Sequence, residues 1–222
     1  SGALYLFDKD SSTPSWTYDR DSGNFISVAI SADSNYIITG AQDVNYKELT
    51  LFGREGNTPL WTHDGCETYS VSISADGEYI VAGCSSGKVH LFDKDSSTPL
   101  WTYTTGNDVW RVSISADGEY IIVGSDDNKV YLFDKDSSTP LWSRDVDDDV
   151  FSVAISADGE YIAVGTADKK VHLFDKDSST PLWSYTTGEN VRSVAISADG
   201  EYVVAGSNDD KVYFFDKDNS TP

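Results

Sequence analysis

Two cysteines, Cys66 and Cys84, are the residues whose placement most directly suggests chemistry. The chain repeats itself, and the corresponding positions of the later repeats hold Asn107 with Ser125, Asp148 with Thr166, and Glu189 with Ser207. Cysteine at both positions in one repeat, and at neither in those three, is typical of a disulfide and therefore of an oxidising compartment. Two separate small thiols are the alternative. A zinc site that includes His63 is a third interpretation, although it lacks a fourth ligand and a standard ligand spacing.

A short acidic loop, DKDSSTP, recurs along the chain and offers carboxylate oxygens at alternate positions. Such alternation resembles the beginning of a calcium-binding loop. The candidate ligands are Asp93, Asp95, Asp134, Asp136, Asp175 and Asp177. The loop lacks the central glycine and the closing bidentate glutamate of a calcium loop, and Asp and Ser also form tight turns by bonding to nearby backbone N–H groups. We therefore predict turns, with calcium as the alternative and no other cofactor.

The histidines and the motif inventory give no support for catalysis. His90 and His172 occupy a position that is Tyr131 and Tyr213 in other repeats, which indicates half-buried rings. The sequence contains no G-x-S-x-G, no H-E-x-x-H and no phosphate-binding loop. We therefore predict that the protein is not an enzyme.

The charge and hydropathy of the chain limit its partners. The net charge is -21, which repels phosphate groups and argues against nucleic acid as a partner. No apolar run approaches the roughly 18 residues needed to span a bilayer, so we predict a soluble chain with no membrane insertion. The acidic residues are spread through every repeat, as in a solvated acidic surface.

All of these residues lie in an internal repeat. The tripeptide SAD recurs at Ser31, Ser74, Ser115, Ser156 and Ser197, with spacings of 43, 41, 41 and 41 residues. Within a repeat, short β-branched and aromatic runs such as SVAIS, YIAVG, VHLFD and LWSY alternate with turns rich in Gly, Asp and Pro, and helical periodicity is absent. We name these runs strands a, b, c and d. The pattern predicts an all-β propeller of four-stranded antiparallel blades with about 41 residues each.

The repeat resembles the WD40 family of propeller repeats over almost the whole chain. Phe-Asp stands where that family has its closing Trp-Asp. The family's Asp of the b–c turn is matched by Asp43, Asp127, Asp168 and Asp209, with Ser86 in the second repeat. The Gly-His pair that precedes strand a in the family is missing in every repeat, which removes the family's histidine hydrogen-bond network. The Trp of the recurring STPLW segment is similar to that of quinoprotein-like propellers.

The resemblance implies that partners dock at the entry to strand a, on the top rim and central channel. The residue five positions before each SAD serine varies strongly, whereas its neighbours barely vary. The candidate partner-binding rim consists of Tyr69, Trp110, Arg111, Phe151 and Arg192. The alternative is that these rings pack between blades, because the position shares its strand face with core residues.

The chain begins and ends on nearly the same segment, LYLFDKDSSTP and VYFFDKDNSTP. We predict one domain with a c–d hairpin (1–19), four full blades (20–63, 64–104, 105–145 and 146–186) and a final a–b–c segment (187–222). This order gives five repeats with an extra strand c at the N-terminus. The hairpin can complete the last blade of its own chain in a closed five-bladed ring, complete a blade of a neighbouring chain, or belong to a longer array.

Together these features favour a non-catalytic scaffold for protein–protein assembly, including self-assembly in which the hairpin completes a blade of another copy. The paired cysteines favour a location outside the cell or at the cell surface. The alternatives are a calcium- or ligand-binding propeller module and an engineered or excised fragment without native activity.

Overall fold

The computed structural model describes residues 2–20, 23–42 and 48–222, and within these ranges it contains β-strands and no helix. The described part of the chain therefore has no helix that could cross a membrane. Its 21 strands form six antiparallel sheets. The predicted all-β class with four-stranded blades is confirmed. Asp43, predicted to lie in the first b–c turn, falls outside the described residues.

Each sheet follows the chain order of its strands. The N-terminal hairpin consists of β1 (Ala3–Phe7) and β2 (Pro14–Asp19). Blade 1 consists of β3 (Asn24–Ile30), β4 (Tyr36–Gln42), β5 (Glu48–Gly53) and β6 (Pro59–Asp64). Blade 2 consists of β7 (Thr68–Ile73), β8 (Tyr79–Cys84), β9 (Lys88–Asp93) and β10 (Trp101–Thr104). Blade 3 consists of β11 (Val109–Ile114), β12 (Tyr120–Ser125), β13 (Lys129–Asp134) and β14 (Trp142–Asp145). Blade 4 consists of β15 (Val150–Ile155), β16 (Tyr161–Thr166), β17 (Lys170–Asp175) and β18 (Trp183–Thr186). The terminal sheet consists of β19 (Val191–Ile196), β20 (Tyr202–Ser207) and β21 (Lys211–Asp216).

Consecutive sheets pack face to face because strand b is apolar on both of its faces. In β16, Ile162 and Val164 belong to the core shared with blade 3, and Ala163 belongs to the core shared with the terminal sheet. All three side chains are 0% exposed. Successive residues of a strand point to opposite faces, so such a strand requires a neighbouring sheet on each side.

The SAD turn between strands a and b is held by its own side chains. In blade 4 the buried Ser156 hydroxyl donates to Asp158 Oδ1 (2.6 Å) and accepts the backbone N–H of Tyr161 (3.0 Å). The same Asp158 oxygen accepts the N–H of Glu160 (3.1 Å), and Gly159 closes the turn at a φ of 74°. Equivalent Ser–Asp bonds recur in the other four turns. The recurring tripeptide thus has a structural role in a chain that lacks the histidine network.

The tryptophan of strand d ties each sheet to the next one. Its Nε1 donates to a backbone carbonyl just beyond strand c of the following sheet, at 2.7–2.8 Å. The pairs are Trp16 with Arg54, Trp61 with Lys94, Trp101 with Lys135, Trp142 with Lys176, and Trp183 with Lys217. These bonds fix the spacing between neighbouring sheets.

A ladder of backbone bonds also runs along the SAD turns. The N–H of Ala75 donates to the carbonyl of Ala116 (2.9 Å), and that of Ala116 donates to Ala157 (3.0 Å). The N–H of Ala157 donates to Ala198 (3.0 Å). Every bond of this ladder therefore has its donor in one sheet and its acceptor in the following sheet.

The hairpin does not complete the terminal sheet of its own chain. Strand β2 pairs with β1, with Tyr18 opposite Leu4, and its Trp16 and Tyr18 rings contact Phe52 of blade 1. The terminal sheet consists of β19, β20 and β21 only, and β21 pairs with no described strand besides β20. Of the three arrangements that the sequence leaves open, the closed five-bladed ring is therefore not the one that the described residues form, because β2 pairs with β1 and not with β21.

Replacing Ser156 with Ala is expected to lower the free energy of unfolding by about 1–3 kcal/mol. The change removes a charge-assisted bond to Asp158 and leaves the Tyr161 N–H without its acceptor. Urea denaturation followed by tryptophan fluorescence measures the loss. The control is Ser179→Ala in the c–d loop, which should change stability by less than about 0.5 kcal/mol. Equal effects of the two substitutions would contradict the structural role of the SAD turn.

Candidate functional site

The residues of the candidate rim form two contacts between neighbouring sheets. Tyr69 of blade 2 stacks on Trp110 of blade 3, with the ring centroids 4.2 Å apart and the ring planes 9° from parallel. The guanidinium of Arg192, on the terminal sheet, lies 4.3 Å from the ring centroid of Phe151 in blade 4. The rings thus pack between sheets, and Trp110 is still 37% exposed.

A cavity of about 280 Å³ opens among these side chains. Its lining residues are Trp110, Arg111, Asp126, Asp149, Phe151 and Arg192. Four of the five predicted rim residues therefore line one cavity. The fifth, Tyr69, stacks on the ring of Trp110. Sequence reasoning missed the two aspartates, which follow strand b of blade 3 and precede strand a of blade 4.

The charged groups of the cavity are partly desolvated. Burial raises the pKa of the Asp126 carboxyl, although the Trp110 indole donates to it at 2.6 Å. Burial also lowers the pKa of Arg111. Neither Arg111 nor Arg192 forms an ion pair with any described residue. The cavity can therefore offer two guanidinium groups and aromatic faces to a bound group.

Arg111 departs from the repeat at a position that is serine elsewhere, as Ser27, Ser70, Ser152 and Ser193. The serine hydroxyl accepts a backbone N–H from the following sheet, in the pairs Ser27 with Val71 (3.0 Å), Ser70 with Val112 (3.1 Å) and Ser152 with Val194 (3.0 Å). A guanidinium has no acceptor, so Arg111 cannot form this bond with Val153. The replacement of serine by arginine at this position loses the hydrogen bond between sheets. This loss favours a binding role for Arg111 over a structural one.

Replacing Arg111 with Ser is expected to raise the free energy of unfolding by about 0.5–1.5 kcal/mol, because serine restores an acceptor for the Val153 N–H. Urea denaturation measures the gain. Arg144→Ser, at an exposed position of strand d, is the control and should stay within about 0.5 kcal/mol of the wild type. A loss of stability in the Arg111 variant would assign this arginine to the fold instead of to binding.

The acidic loops are tight turns in the structure. The N–H of the second aspartate donates to Oδ1 of the first at 2.8 Å, in the pairs Asp95 with Asp93, Asp136 with Asp134, and Asp177 with Asp175. The second carboxylate also meets a lysine, as Asp95 meets Lys94 at 2.7 Å. The same lysine lies 3.3 Å from Glu78. These contacts engage one oxygen of each carboxylate within the turn, and calcium binding stays the alternative to the predicted turn.

Adding calcium at millimolar concentration is expected to leave the melting temperature unchanged, because binding would have to displace the lysine and open the turn. A ligand that binds only the folded state raises the melting temperature. Differential scanning calorimetry with calcium, and with magnesium as the control, tests this. A rise specific to calcium would establish the alternative, a calcium-binding module.

The predicted disulfide is confirmed, since Cys66 and Cys84 are bonded with their Cα atoms 5.7 Å apart. His63, considered above as a zinc ligand, bonds instead to a backbone carbonyl through Nδ1 (2.9 Å). His90 lies beside the sulfur atoms, and burial lowers its pKa to about 4. Sequence reasoning grouped His90 with the tyrosines of other repeats. The available signal was that Cys66, Cys84 and Ser86 all depart from the repeat in the same blade.

The terminal sheet has a surface that is covered in every full blade. A glycine near the end of strand b lies so close to strand a of the following sheet that a Cβ would meet it at 2.4–2.7 Å. These glycines are Gly40, Gly83, Gly124 and Gly165. Gly206 is the equivalent residue of the terminal sheet, and a Cβ there would meet nothing within 4 Å. The terminal sheet therefore has a surface shaped for a following strand, and no described residue covers it.

Comparison with known families agrees with this architecture. A family model described as outer membrane protein assembly factor BamB matches residues 103–221, more than half of the chain. The chain belongs to this family. A second model, the WD domain, G-beta repeat, matches residues 57–93, so the expected likeness to both WD40-like and quinoprotein-like repeats is confirmed. No curated protein matches the chain. Propellers of the WD40 and BamB-like families generally mediate protein–protein interactions. Membership of the family therefore supports a general role for this chain as a scaffold for such interactions.

Proposed function

We propose that this chain is a non-catalytic scaffold whose copies assemble head to tail, with the terminal sheet of one copy packing on the hairpin and blade 1 of the next. The observation that carries the proposal is Gly206. Its four equivalents each adjoin the first residue of a following strand a, such as Val191 beside Gly165. The residue of a second copy at that place is Phe25, at the beginning of β3.

The two terminal copies of strand c support this proposal through their opposite bare faces. In the hairpin, Tyr5 is 54% and Phe7 52% exposed, on the side that faces the preceding blade. The equivalents of Phe7 within the chain are all 0% exposed and are Phe52, Phe92, Phe133, Phe174 and Phe215. In the terminal sheet, Val212 is 75% and Phe214 56% exposed, on the side that faces the following blade. Their equivalents are at most 2% exposed and are Leu49, Leu51, Val89, Leu91, Val130, Leu132, Val171 and Leu173.

Strand a of blade 1 also exposes apolar side chains, on the face that would meet the terminal sheet of another copy. Val28 is 59% and Ile30 51% exposed, and they lie on the face that would meet a preceding sheet. Of the four equivalents of Val28, Val71, Val112 and Val194 are 7–8% exposed and Val153 is half-buried. Full burial of such a side chain contributes about 1.5–3 kcal/mol, so covering several of them at once gives a strong drive for association.

The polar bonds between sheets would also continue from one copy to the next. Within the chain, a strand a serine accepts the N–H of the valine that follows in the next sheet. Ser193 of one copy and Val28 of the next are the corresponding acceptor and donor. The SAD ladder would continue in the same way, from the Ala198 N–H to the carbonyl of Ala32.

The terminal sheet of one copy and the hairpin of the next would form one blade, which we call the merged blade. This blade needs one strand c, but the two segments supply two, β21 and β1. Either β1 or β21 pairs with β20, and β2 supplies strand d. The two segments are interchangeable, since ALYLF and KVYFF share the same alternation. Addition of a strand to an exposed sheet edge is a common mode of recognition. Each copy thus contributes four complete blades and one merged blade, and the assembly is a ring if the rotation closes and a filament if it does not.

We place this scaffold outside the cell or at the cell surface, where a disulfide persists. The rim cavity is a second interaction site, for a protein partner. Its two arginines without ion pairs and its aromatic faces favour a segment that carries a carboxylate beside a flat side chain.

Replacing Gly206 with Val is expected to abolish assembly and to leave the stability of a single copy within about 0.5 kcal/mol of the wild type. The new side chain has open space in the single chain, whereas in the merged blade it would collide with Phe25 of the next copy. Sedimentation velocity over a range of concentrations measures assembly. Gly165→Val is the matched variant, and it should destabilise the fold by about 1–3 kcal/mol because its Cβ meets Val191.

Three outcomes would contradict the proposal. They are a wild-type protein that stays monomeric at high concentration, a Gly206 variant that assembles normally, and a chain without residues 1–19 that assembles as the full chain does.

A further inference from the structure

A buried pocket in blade 2 collects three groups that are good ligands for a soft metal ion. Both sulfur atoms of Cys66 and Cys84 and a ring nitrogen of His90 lie within 4.8 Å of one another. The exposed fractions of the three residues are 6%, 0% and 6%. Within the described part of the chain, they form the single cluster of at least three histidine, cysteine or acidic ligand atoms at this spacing.

The imidazole of His90 has a nitrogen available for a ligand. Its Nδ1 is hydrogen-bonded to Thr102 Oγ1 at 2.8 Å, whereas its buried Nε2 has no partner among the described residues. In blade 3 the equivalent Tyr131 donates to Asp127. Blade 2 has Ser86 in place of that aspartate. A buried polar atom without a partner costs about 1–3 kcal/mol, and this atom lies in the residue that adjoins the two sulfurs.

We propose that reduction of the Cys66–Cys84 disulfide turns this pocket into a binding site for one zinc-like divalent ion, held by the two thiolates and Nε2 of His90. A dithiol supplies two electrons and two protons to the disulfide and is itself oxidised to a disulfide. A phosphine supplies only the two electrons, and water supplies the two protons and the oxygen of the phosphine oxide. The ion then displaces the two thiol protons. The disulfide and the metal are therefore alternative states of one pocket.

The ligand set specifies the class of ion. Two thiolates and one imidazole suit Zn²⁺ and its spectroscopic substitute Co²⁺, whereas Ca²⁺ and Mg²⁺ require oxygen ligands. The bond from Nδ1 to Thr102 orients the ring as a metal-bound histidine is normally oriented, through its other nitrogen. A fourth position can be taken by water, as at other open zinc sites.

Cobalt titration of the full chain tests this proposal. After reduction by a phosphine, the wild type is expected to bind one Co²⁺ with a thiolate-to-cobalt charge-transfer band and the visible bands of tetrahedral coordination. The oxidised protein should show neither. His90→Tyr, which introduces the residue found in blade 3 and in the terminal sheet, should weaken binding at least about 100-fold, since losing an outer-shell partner alone costs 10- to 100-fold.

His172→Tyr is the matched control. His172 occupies the same repeat position, and its Nε2 is likewise buried without a partner, but Asp148 and Thr166 stand where blade 2 has the cysteines. This variant should bind Co²⁺ as the wild type does. The double variant Cys66→Asn with Cys84→Ser, which copies blade 3, should fold and bind no Co²⁺.

A second measurement covers the case in which reduction unfolds the chain. Zn²⁺ should then restore the folded state and raise the melting temperature in the reduced wild type and the His172 variant, but not in the His90 variant. Equal Co²⁺ binding by the wild type and the His90 variant would overturn the proposal, because it would show binding by sulfur alone. The absence of thiolate–cobalt bands in the reduced, folded wild type would overturn it as well.

Discussion

The structure depends on the burial of each sheet by a neighbour on both of its faces. The clearest case is the phenylalanine that ends strand c, which is fully buried in every sheet that has a predecessor. Each such ring contributes about 1.5–3 kcal/mol. A sheet with two apolar faces buries both of them only when a sheet packs on each side, as in blades 2, 3 and 4. The tryptophan bonds and the SAD ladder set the spacing at which this burial takes place.

In such a row of sheets, the first and the last sheet each leave one apolar face without a neighbour. The apolar faces of β1, β3 and β21 are the direct consequence, and their side chains match in kind because they come from the same repeat. The net charge of -21 acts against association, since like-charged copies repel one another. In the proposed head-to-tail assembly, contact between copies therefore depends on these apolar faces and on the hydrogen bonds that accompany them.

The repeat period, the strand types and the duplicated strand c were predictable, because they follow from local patterns of two- and 41-residue periodicity. The cysteine pair was predictable because it breaks the repeat at both sites together. The place of His90 beside the disulfide was not, since its side chain fills a slot that tyrosine fills elsewhere and only packing brings it to the sulfurs. The pairing of β2 with β1 instead of β21 was also not predictable from the sequence. Both strands have the pattern of a strand c, so the sequence shows that either can pair with β2 and does not choose between them.

The SAD ladder has one further consequence. Every N–H of the ladder donates to a carbonyl of the following sheet. The row of sheets therefore has a direction, and its two ends differ chemically. In the proposed head-to-tail assembly, a copy with one end blocked can join a growing row at its other end and then stop it. Trace amounts of such a terminator would shorten every assembly in the population, in the same way that a chain-ending monomer limits the length of a synthetic polymer.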